Sequence, residues 1–413
     1  MSGILFLAHR IPYPPDKGDK IRSWHMLRHL AARAPVHLGA FVDDPADFAH
    51  APVLERLCAS VKLLPLRAAS RPWRGARALL HGAPLSIGFY ADAKMRAWVD
   101  QTVAEQSIGA VFGFSGQIAP YVLRHVAGRR SVMDFVDLDS AKWAQYAAEA
   151  SGPTRWLFAR EASRLLAFEA QAARAFDATL FVSEAEAALF RARSGASGAR
   201  VLAVQNGVDA GYFDPAAQFP RVPVEGEIRQ APTAVFTGAM DYRPNIDAVL
   251  WFAAEVWPSV RTVLPDAQFL IVGSKPEAAV TALGGRDGVR VTGRVADVRP
   301  YLAAASVAVA PLRIARGIQN KVLEAMAMAK PVVATPEAYE GLSLSPPHDI
   351  LVEREPAAFA AAVIALLREP ERGRAIGAAA RAAVRAAYAW EPHLRVLDEL
   401  LLGTPPGAES VAA

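Results

Sequence analysis

The sequence predicts an α/β protein made of two doubly wound, parallel-sheet domains of the Rossmann-like kind, facing across a cleft. Three observations carry this expectation. Short β-rich apolar runs alternate with helical patterns from end to end, the signature of parallel sheets covered by helices. The chain has 413 residues, 53% of them hydrophobic and 21% charged, which suits two or three packed domains and excludes wholesale disorder or a coiled coil. A stretch with prolines at 215, 220, 223 and 232 and mixed charge, Asp214–Pro232, separates two similar groups of strands.

The elements follow in order. Gly3–Ala8 is a short apolar run with no basic flank, so it reads as a first buried strand and not as a signal peptide. A helix is expected at Asp19–Arg33, its apolar face made by Ile21, Trp24, Leu27, Leu30 and Ala31. His25 and His29 then fall beside Arg22 on a solvated side. Further strands are expected at Val36–Val42, Val61–Leu66, Ala110–Phe114, Val132–Val136, Ala178–Val182 and Val201–Val204. Beyond the linker they are Ala234–Thr237, Gln268–Gly273, Val289–Val291, Val307–Pro311, Pro331–Thr335 and Ile350–Val352. In open sheets of this kind ligands bind outside the carboxyl ends of the strands.

Tyr301–Leu312 and Ala357–Leu367 are the most apolar stretches, and both fall short of the ~18 residues a spanning helix needs. With Cys58 as the single cysteine, no internal disulfide can form, and a reducing cytoplasm is the expected compartment. The net charge of +4 divides unevenly. Residues 1–213 hold 25 Lys and Arg against 19 Asp and Glu, and the remainder 20 against 22. That gives the first half a basic character suited to anionic lipid or phosphate, although on charge alone a scattered surface bias explains it better. Only eight of the 45 basic residues are lysine, which reflects base composition more than affinity for nucleic acid, and no nucleic-acid partner is expected.

Chemistry is expected at glycine-bearing strand ends in the second half. In Phe236–Asn245, FTGAMDYRPN, a strand runs through a glycine turn into a helix, whose N-terminus offers free N–H groups to a phosphate. Gly238 allows close backbone approach there, and Arg243 adds charge. Gln268–Ser274 repeats the pattern at Gly273, and Val291–Val298 at Gly293 and Arg294. The most specific stretch is Ala310–Thr335, APLRIARGIQNKVLEAMAMAKPVVAT, where a loop with Gly317 leads into a helix near Gln319. Lys321 near a helix N-terminus opposes the helix dipole, so an anion is its expected partner. Glu324 lies three residues on along the same face and suits a ribose diol, unless the two form a plain surface pair.

These motifs, with VSEAEAALF, VQNGVDAGYF and a closing YAW, resemble in kind and order the retaining family-4 glycosyltransferases of the GT-B fold. FVDLDSAKW and GIQNKVLEAMAMAKPVV look most like sugar transferases of exosortase/PEP-CTERM exopolysaccharide loci. The resemblance implies an acceptor-binding domain at 1–213, a linker at 214–231 and a nucleotide-sugar-binding domain at 232–387. A helix at 388–402 would return to the first domain, leaving a tail at 403–413. It implies donor contacts at Gly238, Asn245, Gly273, Arg294, Gln319, Asn320 and Glu324, with Lys321 and Arg243 neutralising the leaving diphosphate. Gly18, Lys20 and Arg22 would serve the acceptor. Two departures stand out. Arg316 occupies the position of the first of the family's two glutamates, and Asp137 stands where an acceptor-side histidine is usual.

Other patterns compete. Asp137-Leu138-Asp139 is an Asp-x-Asp at a strand end, of the kind that holds a divalent metal in another glycosyltransferase class. His25 and His29 lack a third ligand for zinc. Asp19 in Asp16–Lys20 can equally be a plain N-cap. Arg67–Tyr90 combines arginines with Trp73, Leu79, Leu80 and Phe89, and Arg155–Phe176 is a second amphipathic basic helix; both suit peripheral contact with a membrane, or packing on their own domain as most such helices do. No dinucleotide, P-loop or Gly-x-Ser-x-Gly signature is present.

The expected function is therefore retaining, metal-independent transfer of a sugar from a nucleotide-diphosphate donor to an acceptor hydroxyl. The acceptor is expected to be a lipid-linked glycan at the inner face of the cytoplasmic membrane. No resident cofactor is expected, the nucleotide sugar being a substrate. The alternatives are a metal-dependent transferase using Asp137 and Asp139, and a non-catalytic GT-B scaffold subunit of a polysaccharide assembly.

Overall fold

Both groups of expected strands form parallel sheets in the structure, a computed structural model that describes residues 2–66, 71–220, 231–315 and 318–403. The first sheet contains β1 (Gly3–Ala8), β2 (Val36–Val42), β3 (Ser60–Pro65), β4 (Ile108–Phe114), β5 (Arg130–Val136), β6 (Ala178–Phe181) and β7 (Val201–Ala203). Its order is β3-β2-β1-β4-β5-β6-β7. The second contains β8 (Thr233–Thr237), β9 (Gln268–Val272), β10 (Val289–Val291), β11 (Val307–Ala310), β12 (Val332–Ala334) and β13 (Leu351–Val352), in the order β10-β9-β8-β11-β12-β13. Strands covered on both faces must be apolar throughout, and β1 and β2 are buried at every position. Each sheet reverses its winding once, between β1 and β4 and between β8 and β11. The ends of those strands are where a crevice opens.

The helices that bear on function are α1 (Gly18–Ala31), α2 (Arg71–Leu80), α3 (Leu85–Gly88), α4 (Asp139–Glu149) and α5 (Gly152–Ala175) in the first unit. In the second they are α6 (Arg243–Trp251) and α7 (Asn320–Ala327); α8 (Trp390–Leu397) follows at the return to the first unit.

The chain divides into two compact units. One is Gly207–Trp390, and the other joins the chain up to Asn206 with the segment from Glu391 onward. The first unit thus stops before residue 213, because Val208 N donates to Tyr388 O at 2.7 Å and Phe213 is buried in the core of the second unit. Of the expected linker, residues 221–230 lie outside the described residues. The segment after Trp390 packs in the first unit: Asp398 accepts from His29 Nε2 at 2.8 Å and pairs with Arg33 at 3.0 Å. Arg200 pairs with Glu399 at 2.9 Å.

The expected orientation of α1 is corrected. Ile21 and Trp24 are only half-buried, while Lys20, Arg22 and His29 are buried. The reason is that each inward cation meets an acceptor inside the fold. Lys20 Nζ reaches Asp47 at 2.7 Å and Asp16 at 3.3 Å. Arg22 donates to Asp134 at 2.8 Å, to Val204 O at 2.6 Å and to Asn206 Oδ1 at 3.0 Å. A buried charge is tolerated only with such partners. His29 is likewise not a solvated histidine; burial lowers its pKa, with Asp398 pulling the other way.

Candidate functional site

The second unit builds a site at its switch point from three strand ends. β8 stops at Gly238, whose N–H donates to Val272 O at 3.0 Å, and Met240 N donates to Ser274 O at 2.8 Å. These bonds hold the turn after β8 against the turn after β9. The fit leaves no room for side chains: a β-carbon on Gly273 would lie 1.6 Å from Gly238 O. One on Gly238 would lie 2.7 Å from Asn245 Nδ2 and 3.3 Å from Lys321 Nζ.

Asn245, in the first turn of α6, is the pivot. Its Nδ2 donates to Ala239 O at 2.8 Å, and its Oδ1 accepts from Lys321 Nζ. One amide therefore orients both the glycine turn and the lysine. Lys321 enters from α7, the helix after β11, and its ammonium lies 4.5 Å from the Phe236 ring centroid. Burial lowers the Lys321 pKa to about 7, Glu324 opposing; burial raises that of Glu324 to about 7, Lys321 opposing. Asn320 Oδ1 beside them is buried without a hydrogen bond. The result is a weakly solvated cation with a carboxylate one turn along, at a helix N-terminus. Such a place gains by receiving an anion.

Gly273, Gly238, Asn245 and Lys321 thus form one connected set of contacts, and Glu324 lies one helical turn on from Lys321. Gln319 precedes α7 and is half-buried. Arg243 and Arg294 are exposed, at the start of α6 and beyond β10, and none of the contacts above includes them. Arg316 and Gly317 lie outside the described residues.

At the switch point of the first unit, Gly18 opens α1 and is exposed. Lys20 and Arg22, expected to meet an acceptor, face inward in the ion pairs described above. Asp19 is not a cap. It pairs with Arg10, and with His9 Nε2 at 3.3 Å. Burial alone would raise its pKa, but the hydrogen bond and charge of His9 and the charge of Arg10 hold it well below the usual carboxylate range. Arg10 also pairs with Asp43 at 3.0 Å. His9, Arg10 and Asp43 escaped the sequence reading, although they follow β1 and β2 directly, which was the available signal.

Asp137 and Asp139 share Lys142, at 2.9 and 3.2 Å. Their charge is thus met by an ammonium, whose own pKa is raised by the two carboxylates against the effect of burial. Among the described residues no group of three or more His, Cys, Asp or Glu stands ready for a metal ion. Val136, just before Asp137, has φ +69°, a costly value for a β-branched residue and one of five such non-glycine positions described.

Residues 231–369, which include Lys321, match the family model for glycosyl transferases group 1. A GDP-mannose-dependent monoacylated α-(1-6)-phosphatidylinositol monomannoside mannosyltransferase of Corynebacterium glutamicum is 29% identical over 215 residues. That alignment covers 48% of this chain and 55% of the relative, so the chain spans about half the length of the curated relative it matches. Sucrose-phosphate synthase of Thermosynechococcus elongatus superposes with a TM-score of 0.65 at 19% identity, covering 98% of this chain and 99% of the other. Anabaena HepE, solved with UDP and glucose, gives 0.65 at 15% identity over 98% and 100%. These likenesses, with the two parallel sheets, establish the GT-B fold.

Proposed function

We propose that this chain is a nucleotide-sugar-dependent glycosyltransferase of the group 1 family, acting with retention of configuration and without a metal. The observation that carries the reading is the Lys321 ammonium, held by Asn245 against the Gly238 turn in the unit that matches the family model. Transfer breaks the bond between the sugar anomeric carbon and the diphosphate oxygen, which keeps the electron pair. The acceptor oxygen forms the new bond on the same face and passes its proton to the leaving phosphate. The charge that grows on the diphosphate is what Lys321 and the N-terminus of α7 stabilise, without reorganising at the moment of reaction. Glu324 holds the ribose, and Arg243 and Arg294 turn onto the phosphates when donor is present.

The first unit takes the acceptor, a lipid-linked glycan of an exopolysaccharide or other cell-surface polymer, at the inner face of the cytoplasmic membrane. Gly18 keeps a place in this reading. Lys20 and Arg22 support the loop instead of touching the acceptor.

The test is a thermal-shift and hydrolysis screen of nucleotide sugars, with and without chelator. One donor should stabilise the protein and release its nucleoside diphosphate slowly in the presence of chelator, and Lys321→Ala should abolish both effects. Binding with no turnover, even with polyprenyl-linked acceptors, would instead identify a scaffold subunit. A strict metal requirement would return the chemistry to Asp137 and Asp139.

A further inference from the structure

The large apolar side chains exposed on the first unit are not scattered. Trp73, Leu79 and Leu80 lie on α2, Tyr146 on α4 and Trp156 on α5, and of those described only Phe48 lies elsewhere. Trp73, Leu80 and Trp156 are 82%, 85% and 66% exposed, far more than side chains that merely lie against their own domain.

Two sets of contacts bring these elements together. Arg160 Nη1 and Nη2 donate to Ala83 O at 3.4 and 3.3 Å. The Glu161 carboxylate accepts from Leu85 N at 2.7 Å, from Ser86 N at 2.8 Å and from the Ser86 hydroxyl at 2.7 Å. Leu80 precedes Ala83 by three residues, and Trp156 precedes Arg160 by one helical turn, so the end of α2 and the start of α5 are neighbours. α4 is bound to α5 by rings: Phe158 lies 5.3 Å from Trp143 and 6.2 Å from Tyr146, centroid to centroid.

The charge around this face is mainly basic, the exposed Glu149 at the end of α4 being the exception. The described part of α2 carries Arg74 and Arg77, and residues 71–90 include no acid. Arg77 and Arg155 are exposed, whereas Glu161, the first acid of α5, is buried and fully engaged by α3. No helix among the described residues is long and apolar enough to cross a membrane, so an attachment through this face would be peripheral.

We propose that this face docks on an anionic lipid bilayer, with Trp73, Leu80 and Trp156 entering the headgroup region and Arg77 and Arg155 meeting lipid phosphates. Tryptophan and leucine beside arginine, with Glu161 buried and acids absent from α2, is the composition of an interfacial contact. A second copy of the chain is a poorer occupant, since a two-fold interface would set the arginines of one copy against those of the other. The proposal deepens the transferase reading, on which it rests only for its purpose: it names the face from which a lipid-linked acceptor would be reached.

The experiment is sedimentation of the full chain with vesicles of phosphatidylcholine alone or mixed with phosphatidylglycerol, at low and high salt. Binding should require phosphatidylglycerol, weaken with salt and shift tryptophan emission to the blue. Trp73→Ser with Trp156→Ser, and separately Arg77→Glu with Arg155→Glu, should each weaken binding roughly tenfold or more. Phe48→Ser should leave it unchanged, and circular dichroism should report all variants folded. Binding that ignores lipid charge, survives both double substitutions or is absent would overturn the proposal. So would self-association in place of vesicle binding that the Trp73 and Trp156 substitutions abolish. Thermal shift by a nucleotide sugar is read in parallel. Loss of that shift with vesicle binding intact would remove the transferase reading and leave the docking face standing.

Discussion

Gly273 and Gly238 approach so closely that a β-carbon on the first would stand 1.6 Å from the carbonyl oxygen of the second. The turn after β9 therefore acts as a floor for the turn after β8, and through Asn245 it sets where the Lys321 ammonium lies. Gly273→Ala must push the Gly238 carbonyl aside. The expected cost is at least the ~1–3 kcal/mol of an overpacked site. Stabilisation by a nucleotide sugar should fall further than overall stability does. Thermal melts with and without donor separate the two effects.

Lys321→Ala should lower turnover by ~10²–10³-fold, as does removal of one preorganised group facing a developing oxyanion. Asn245→Ala should act through the lysine, so its loss should be smaller and should not add to that of Lys321→Ala. Activity near wild type in Lys321→Ala would end the assignment. Single-turnover kinetics of the two variants and their double mutant provide the comparison.

The same lysine predicts a pH dependence of donor binding. With its pKa lowered to about 7, Lys321 is an ammonium below that pH and loses its charge above it. Glu324, raised to about 7, becomes an anion over the same interval. Both changes disfavour a diphosphate, so donor affinity should be greatest below about 7 and decline as pH rises through it. An intact nucleotide sugar is the right probe, because its diphosphate diester does not titrate there. Calorimetric affinities that stay flat across this interval would contradict the prediction.

Arg22 and Asp134 form an ion pair with no exposure at either side chain. Removing one member strands the other, so Arg22→Met should destabilise the protein by ~3–5 kcal/mol in urea unfolding. Adding Asp134→Leu should recover much of that loss, since two apolar groups leave no charge unmet. If the double mutant is as unstable as the single one, the bonds from Arg22 to Val204 and Asn206 matter more than the pair.

Glu169 supplies a second pH signature. Burial raises its pKa to about 8, hydrogen bonding from Ser140 opposing. A carboxyl raised in the folded state contributes stability that is full below its unfolded pKa of about 4.3 and is lost as pH rises toward about 8. Glu169→Gln should flatten this decline and leave the protein more stable than wild type at mildly alkaline pH. Melting temperatures across the interval test it.

The strands were legible because parallel strands buried on both faces must be apolar, and β1, β2 and β11 have no other pattern available. That Gly238, Asn245 and Lys321 come together was legible because a glycine turn after β8 and the helix after β11 both start at the same edge of the sheet. α1 was misread for the opposite reason. Arg22 and Lys20 look like a solvated face until Asp134 and Asp47, 112 and 27 residues away, are brought beside them. The pairing of Lys142 with both Asp137 and Asp139 was likewise invisible, since nothing in Asp-x-Asp tells which cation meets it.

The return of the chain after Trp390 has a consequence for biosynthesis. Gly207–Trp390 is continuous in sequence and can be completed as it is made, whereas the other unit takes a further segment from Glu391 onward. While the second unit is being synthesised, His29, Arg33 and Arg200 lack the Asp398 and Glu399 that will meet them. The half of the molecule that is made first is therefore finished last.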